Sequence, residues 1–439
     1  MMRILATPFE LEIDDLTLEG QGVGRREGKA CFVPDALPGE RVRVLPTGGK
    51  HNFDTGLLDA VLRASPDRVT PTCRWFGTCG GCRLMHLSIV GQRRVKQKAL
   101  LEALKRLGNV TPEIPLPPIV DQDLGYRRTT RLGVKYVSKK GGTLVGFRER
   151  GGRFLADMED CQVLHPALGE RIAGLRQLID RLEQRQRIPQ IEAVVDDDDS
   201  VALVFRHLQP LPAHDLEHLR GYAQAEGVQV LLQPSGPDSV AWLAGPDRPL
   251  VYRHPDFGVE IEFTALDFIQ AHAGVNRQMV AQVVEWMGLD AGTEVLDLYC
   301  GLGNFTLPLA RRASSVLAVE ADVRMLERAR RNAERQGILN TTYVRADLEA
   351  LVRGAEPWGQ RRFDRALLDP PRTGAAAVVE TLGARRIPRL VYVSCNPATL
   401  ARDASTLVHQ HGYRLLAAGI LDMFPHTAHV ESMAVFIRE

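Results

Sequence analysis

The sequence predicts an α/β protein: a doubly wound, Rossmann-like domain with a seven-stranded sheet, preceded by a small OB-like β-barrel and a central α+β domain. Three observations carry this. From about residue 265 strand-like and helix-like stretches alternate, and repeated βα units imply a parallel sheet covered on both faces. The strands are EVLDLY (294–299), VLAVE (316–320), TTYVRAD (341–347), RALLDPP (365–371) and RLVYVSC (389–395), with stretches such as DVRMLERARRNAERQG showing 3–4 apolar spacing between them. The last two strands, RLLAAGILDMFP and ESMAVFIR, leave no room for a helix between them and are expected to be antiparallel to each other.

Ahead of this domain the pattern differs. Residues 1–66 alternate polar and apolar positions between Gly turns, as in LEIDDLTLEGQGVGRREGKACFVPDALPGERVRVLP, which predicts the short strands of a barrel. Such barrels offer a face and loops to oligonucleotides. Residues 67–262 form the second unit and 263–439 the third. The second opens on a cysteine cluster and a basic helix over about Gln92–Leu107, with Val95, Ala99, Leu100, Ala103, Leu104 and Leu107 as its apolar stripe. Strands and one long helix near 166–187 follow. The acidic run Asp196–Asp199, between IEAVV and VALVF, reads as a solvated turn.

A length of 439 residues suits two or three domains, and 44% apolar with 25% charged content suits a soluble globular protein. No apolar run approaches the roughly 20 residues of a membrane span. The N-terminus turns acidic early, unlike a signal peptide, so a cytoplasmic protein without a membrane partner is expected. Seven cysteines without export signals point to reduced thiols, a metal site or catalysis rather than disulfides. The net charge of +1 gives no sign of a polyanionic partner, but residues 126–154 hold nine Lys and Arg against one acid, Glu149. That patch suits phosphate contacts, or a solvated hairpin surface.

The first α/β strand runs into Asp297-Leu-Tyr-Cys-Gly301-Leu-Gly303-Asn304. Glycines after a first strand let the backbone approach a ligand closely, and a dinucleotide is one candidate. The third Gly of the dinucleotide fingerprint is missing, however. The second strand ends in Glu320, able to accept both ribose hydroxyls, and the third at Asp347, placed for an adenine amino group. This favours S-adenosylmethionine. The fourth strand ends in Asp369-Pro370-Pro371-Arg372; methyltransferases acting on exocyclic amines have an aromatic residue after the two prolines, and here there is arginine. The fifth ends in Ser394-Cys395-Asn396-Pro397, which sets Cys395 at the carboxyl end of the sheet, where open α/β sheets bind ligands. A thiolate adding to C6 of uracil makes C5 nucleophilic enough to take a methyl group. Glu431, in His426-Thr-Ala-His429-Val-Glu431, is the candidate base for the C5 proton.

Residues 265–439 resemble the RNA uracil-C5 methyltransferase family, through DFIQAHAGVN, LDLYCGLGNF, LLDPPR, VYVSCNPATLARD and FPHTAHVESM in the family's order. The resemblance implies cofactor contacts at Gln270, Tyr299, Asn304, Glu320, Asp347 and Asp369, the nucleophile at Cys395 and the base at Glu431. His272 departs from the family, which has Asn after Gln-x. GQGVGR followed by CFVPDALPGERVRV makes residues 1–66 similar to a TRAM domain, an RNA-binding barrel.

Cys73, Cys79 and Cys82, with Cys161 as a fourth partner, could bind one metal centre; spacing alone leaves zinc and an iron–sulfur cluster open. The first gap of five residues differs from the C-x3-C-x2-C of radical S-adenosylmethionine enzymes. Resemblance to the rRNA-directed branch of the family implies a [4Fe–4S] cluster. Barrel and cysteines together resemble its bacterial members and imply 23S rRNA as partner; dual-site relatives carry both features too, so one or two rRNA uracils stay open, and a monomer on a folded RNA is the simpler expectation. A non-catalytic RNA-binding protein, the remaining class, does not need an intact Cys395 and Glu431.

Overall fold

In a computed structural model of the chain, residues 7–350 and 356–438 are described. The first six residues of the expected barrel unit, and Glu439 at the end of the third unit, lie outside them.

The barrel is closed by five strands, Phe9–Leu16, Gln21–Arg26, Lys29–Pro34, Arg41–Lys50 and Phe53–Arg63. Alternation sends Leu11, Ile13, Cys31, Val33, Val42 and Val44 inward as its core. Its outer basic residues are largely matched: Arg41 pairs with Glu10, Arg43 with Asp59, Arg63 with Glu12 and Lys29 with Asp54. The fully buried carboxylate of Glu40 accepts Arg68 Nε (2.5 Å), Arg68 Nη2 (2.8 Å) and the N–H of Leu37 (2.9 Å), fixing the barrel to the segment that follows.

The central sheet has six strands in the order Ala241–Ala244, Gln229–Gln233, Val201–Arg206, Gln190–Val195, Thr129–Val137, Gly142–Gly146. Helices Ile172–Arg181 and Ala213–Glu226 pack Leu175, Ile179, Leu219 and Ala223 against its Leu132, Ile191, Leu203 and Phe205. Two expectations are corrected here. The long helix near 166–187 is broken: a single turn, Pro166–Gly169, is separated from Ile172–Arg181. A Cβ on Gly169 would stand 2.2 Å from the Cys161 carbonyl oxygen, so the chain bends where those backbones meet. The second helix stops because the buried carboxylate of Asp215 captures the N–H groups of Glu183 (2.8 Å) and Gln184 (3.0 Å). Nor is Asp196–Asp199 simply a solvated turn. Asp196 is buried and accepts the N–H of Ser200 (2.7 Å), and Asp197 lies between Arg128 (2.9 Å) and Arg277 (2.6 Å). Arg128, one of the nine cations in the basic stretch, is thereby internal. Arg131, Lys140 and Arg150 of that stretch pair with Glu192, Asp157 and Asp35.

The C-terminal sheet has eight strands, one more than expected. Their order is Thr341–Arg345, Ser315–Glu320, Glu294–Leu298, Arg365–Leu368, Arg389–Ser394, Glu431–Ile437, Arg414–Leu421, Ile114–Pro115. The first five are parallel and Glu431–Ile437 runs antiparallel to both its neighbours. The extra edge strand pairs Ile114 with Ala417 and Pro115 with Ala418; two residues in a proline-rich stretch carry no periodic signal. The basic helix spans Ile89–Leu107, with Ser88 Oγ accepting the Gly91 N–H. It is a structural part of this domain: Leu100 and Leu104 enter the core under the sheet, whereas Leu107 is 63% exposed and leaves the expected stripe. Lys96 is buried, and Arg93, Arg94 and Lys98 pair with Asp422, Asp67 and Asp15. The hairpin Leu250–His254/Val259–Phe263 shares a core with helix Ala273–Met287. Among the described residues no helix is long and apolar enough to cross a membrane.

Asp197 joins the central sheet to helix Ala273–Met287 through its two arginines. Asp197→Ala leaves Arg128 buried without its counter-ion, which costs about 3–5 kcal/mol. Chemical denaturation should show a lower midpoint; a midpoint equal to that of the parent protein would contradict this.

Candidate active site

Five of the expected site residues cluster at the carboxyl ends of the parallel strands. The turn after Glu294–Leu298 carries Tyr299 at φ 65°, Gly301 at φ 54° and Gly303 at φ 91°. A tyrosine in the left-handed region is uncommon, and such strain collects at functional sites. Its hydroxyl is buried without a hydrogen-bond partner among the described residues, and burial raises its pKa. Cys300 donates its N–H to Val319 O (3.1 Å), tying the turn to the second strand, where it is a small buried residue. The Glu320 carboxylate at the end of that strand is held by three backbone N–H groups, from Gly301 (3.1 Å), Ala321 (2.7 Å) and Asp322 (2.9 Å). That cradle fixes one carboxylate beside the Gly turn. Asp347 lies two residues beyond Thr341–Arg345 and accepts the Glu349 N–H (3.0 Å).

Gln270 comes from the loop before helix Ala273–Met287. Its backbone oxygen accepts Arg128 Nε (2.9 Å), and its side-chain amide makes no hydrogen bond within the described residues. Two residues away Phe268 is 69% exposed, an aromatic ring available for stacking that periodicity could not reveal. Asn304 is committed elsewhere: it exchanges hydrogen bonds with Asn276 (2.9 and 3.0 Å), and its Oδ1 also accepts His254 Nε2 (3.0 Å). Burial pushes His254 down to about 4, which keeps it neutral in this role. His272 is accounted for by packing. Its Nδ1 accepts the Val275 N–H (3.4 Å) at the helix start, its Nε2 donates to Gln122 O (2.9 Å), and its ring stacks on Tyr126 at 4.8 Å.

Cys395 and Glu431 lie at the ends of two neighbouring strands. In the antiparallel pair Arg389–Ser394 and Glu431–Ile437, Ser394 faces Ser432 as the last pair of the ladder; Cys395 follows Ser394 and Glu431 precedes Ser432, and the Glu431 charge is felt at the Cys395 thiol. Ser432 Oγ donates to Ser394 O (3.2 Å), fixing this end of the ladder. Cys395 lies in the bend before helix Pro397–His409, where Asn396 caps the helix by accepting the Ala398 N–H (3.0 Å). Both groups are half-buried. Burial, then the charges of Glu431 and Asp369, pushes the Cys395 thiol up to about 11, while Arg372 opposes the rise. Burial, then Asp369, pushes Glu431 up to about 8, again opposed by Arg372. Burial raises Asp369 to about 7. Asp297, an acid inside an apolar strand, is buried and raised to about 7 by burial; Thr306 donates to its Oδ2 (2.5 Å) and its Oδ1 has no partner among the described residues. Asp297 and Arg372 were legible only as parts of motifs, not as members of the site.

Cys73, Cys79, Cys82 and Cys161 line one cavity of about 360 Å³, bordered by Arg127, Thr427 and His429. Burial raises Cys79, Cys82 and Cys161, the last to about 11, and the other thiols of the group add to each rise. Among the described residues no group of three or more His, Cys, Asp and Glu side chains forms a site for a metal ion.

A glycine turn, a cradled carboxylate and a cysteine, all at the strand ends of this sheet, define a methyltransferase-type α/β domain. The model of the tRNA (Uracil-5-)-methyltransferase family matches residues 255–439, and that of the TRAM domain matches residues 7–53. A protein of Alkalilimnicola ehrlichii named 23S rRNA (uracil(1939)-C(5))-methyltransferase RlmD is 48% identical over 438 residues, covering 100% of this chain and 98% of its own. One of the same name from Xylella fastidiosa is 47% identical over 435 residues, covering 98% of each chain. The fold matches the Pyrococcus abyssi tRNA (uracil-54, C5)-methyltransferase, solved with S-adenosyl-L-homocysteine, with a TM-score of 0.71 at 24% identity over 98% of this chain and 100% of that one. The chain belongs to the RNA uracil-C5 methyltransferase family.

His272→Asn keeps a capping acceptor but loses the stack on Tyr126 and the bond to Gln122. It should lower stability by about 1–3 kcal/mol and leave S-adenosylhomocysteine affinity, measured by calorimetry, unchanged. A large loss of that affinity would make His272 part of the ligand site.

Proposed function

We propose that this protein transfers a methyl group from S-adenosylmethionine to C5 of a uracil in 23S rRNA, at the position named for its relatives, uracil-1939. The observation that supports the mechanism is that Cys395 and Glu431 flank the last paired residues of two neighbouring strands, Ser394 and Ser432, and share Asp369 and Arg372 as charged neighbours. Cys395, as thiolate, adds to C6 of the uracil, and the electron pair moves to C5 as an enolate. S-adenosylmethionine supplies an electrophilic methyl group, which C5 takes. Glu431 then removes the C5 proton; the electrons of the C–H bond re-form the C5–C6 double bond and expel Cys395. Glu320 and Asp347 hold the ribose and adenine of the donor, and Gln270, Tyr299 and Asp369 line its approach to the base. Asn304 acts through the loop it shares with Asn276 and His254. The base must leave its stack to meet both Cys395 and the donor. The chain works as a cytoplasmic monomer, with residues 1–66, 67–262 and 263–439 as its barrel, central and catalytic units.

The four cysteines hold a [4Fe–4S] cluster in this reading. Four part-buried cysteines line one cavity, and burial raises three of them, Cys79, Cys82 and Cys161, so a cationic group that takes thiolates would relieve the cost of ionising them there. The cluster supplies no step of the reaction; it fixes the loop from Cys73 to Cys82. Anaerobically prepared protein should absorb broadly in the visible and contain about four irons per chain. Stoichiometric zinc and no visible band would overturn this assignment.

Cys395→Ala should give neither adduct nor 5-methyluridine. Glu431→Gln should methylate once and stall as a covalent protein–RNA complex on a denaturing gel; slow turnover with no trapped band would contradict the role of Glu431. The pH dependence has a definite sign. Cys395 and Glu431 are both acids held protonated above their ordinary range, and both act deprotonated, so under single turnover methyl incorporation, which needs the Cys395 thiolate, and release of the RNA, which needs the Glu431 carboxylate, should both speed up as pH rises from 6 through 8. A rate that falls over that interval would contradict the assignment.

A further inference from the structure

The segment that delivers Glu431 to the cleft has no helix or strand of its own: residues 422–430 join Arg414–Leu421 to Glu431–Ile437, with His426 at φ 67°. Its support comes from more than 300 residues earlier in the chain. The Gln92 amide, fully buried, grips His426 twice: Oε1 accepts the His426 N–H (2.8 Å) and Nε2 donates to Nδ1 (3.1 Å), while Nε2 also reaches Leu87 O (2.8 Å). Burial lowers the His426 pKa, which keeps the ring neutral and Nδ1 free to accept. One turn along the same helix, Lys96 Nζ donates to Asp422 Oδ1 (2.8 Å) and to Phe424 O (2.8 Å). The Tyr126 hydroxyl donates to Pro425 O (3.0 Å), and the N–H groups of Arg83 (2.8 Å) and Leu84 (3.0 Å) to His426 O. Three successive carbonyls, 424 to 426, are therefore each held from outside the segment. These directed bonds fall on the loop itself, within five to nine residues of the base, while Leu100 and Leu104 bury the other turns of the helix in the core.

We propose that Gln92 and Lys96 are positioning residues for Glu431: they fix residues 422–426 so that the carboxylate meets the C5 proton of the methylated adduct. This rests on Glu431 being the base. Addition and methyl transfer use Cys395 and the parallel strands, which this clamp does not touch. Only the step that needs Glu431 depends on it.

The test is single turnover with a target RNA fragment and labelled methyl donor, following methyl incorporation and the denaturant-resistant protein–RNA complex separately. In Gln92→Leu, which keeps volume and loses the amide, methyl incorporation should stay close to the parent rate. Resolution of the complex should slow by at least about tenfold, since small misplacements of a reacting group are costly. Lys96→Arg, which keeps a buried donor and charge, should resolve the complex faster than Lys96→Met. If Gln92→Leu slows both steps equally, or leaves resolution unchanged, the proposal is overturned. Should Gln92→Leu fail to fold, Gln92→Glu, which keeps the acceptor for the His426 N–H and loses the donor, reads the same partition. Glu431→Gln run alongside separates the two ideas: no trapped complex there removes the parent reading, whereas a trapped complex there and none with the Gln92 variants removes this one alone.

Discussion

The buried pair between Lys96 and Asp422 is the constraint on which the rest of the structure turns. Its side chains are 1% and 0% exposed, and Arg93 supplies a second cation to the same carboxylate at 2.9 Å. Taking such charges from water costs several kcal/mol per ion and is tolerated only with good geometry and further hydrogen bonds. Here the remaining needs are met: Lys96 also donates to Phe424 O, and the Asp422 N–H donates to Ile119 O. The pair thus fixes the register of the N-terminal half against the C-terminal sheet. The Cys73–Cys82 loop, the helix after it and the edge strand at Ile114 all meet the catalytic hairpin around it. A hydrophobic contact would hold these elements together without specifying which turn of the helix faces residue 422.

The cleft has a consistent electrostatic character. Asp297, Asp369 and Glu431 all lie at or near strand ends, and burial raises each of them. Raised carboxylates in a low-dielectric site favour a cation, and the sulfonium of S-adenosylmethionine is one, whereas its demethylated product is not. Arg372 is the counterweight, lowering both Cys395 and Glu431. The arginine after the two prolines thus favours the ionised forms of Cys395 and Glu431, an effect an aromatic ring at that position could not supply.

Much of this was legible in the sequence because it is written in local signals. The βα alternation, the left-handed glycines of the first turn and the strand-end positions of Glu320, Asp369 and Cys395 follow from patterns of a few residues. The antiparallel last strands follow from a connection too short for a helix. What was hidden is long-range. Asp196 and Asp197 read as solvent-facing because their distant partners, the Val251 N–H for the first and Arg128 and Arg277 for the second, are set by tertiary packing. The basic helix read as part of the central unit because charge composition cannot show that Lys96 faces Asp422 of the C-terminal sheet domain. Helix 166–187 kept its apolar spacing across a break imposed by the Cys161 carbonyl and by Asp215. Asn304 sits where a ligand contact was expected, yet its amide is occupied by Asn276 and His254, both remote in sequence.

The central claim is covalent catalysis by Cys395 with proton removal by Glu431, and it is tested most directly with a target RNA whose uridine carries fluorine at C5. Fluorine cannot leave as a cation, so after addition and methyl transfer the wild-type protein has no proton to remove. Incubation with S-adenosylmethionine should yield a stable complex with the mass of protein, RNA and one methyl group, and digestion should place the modified base on Cys395. Free, methylated RNA with no bound protein, or a crosslink at another cysteine, would contradict the account.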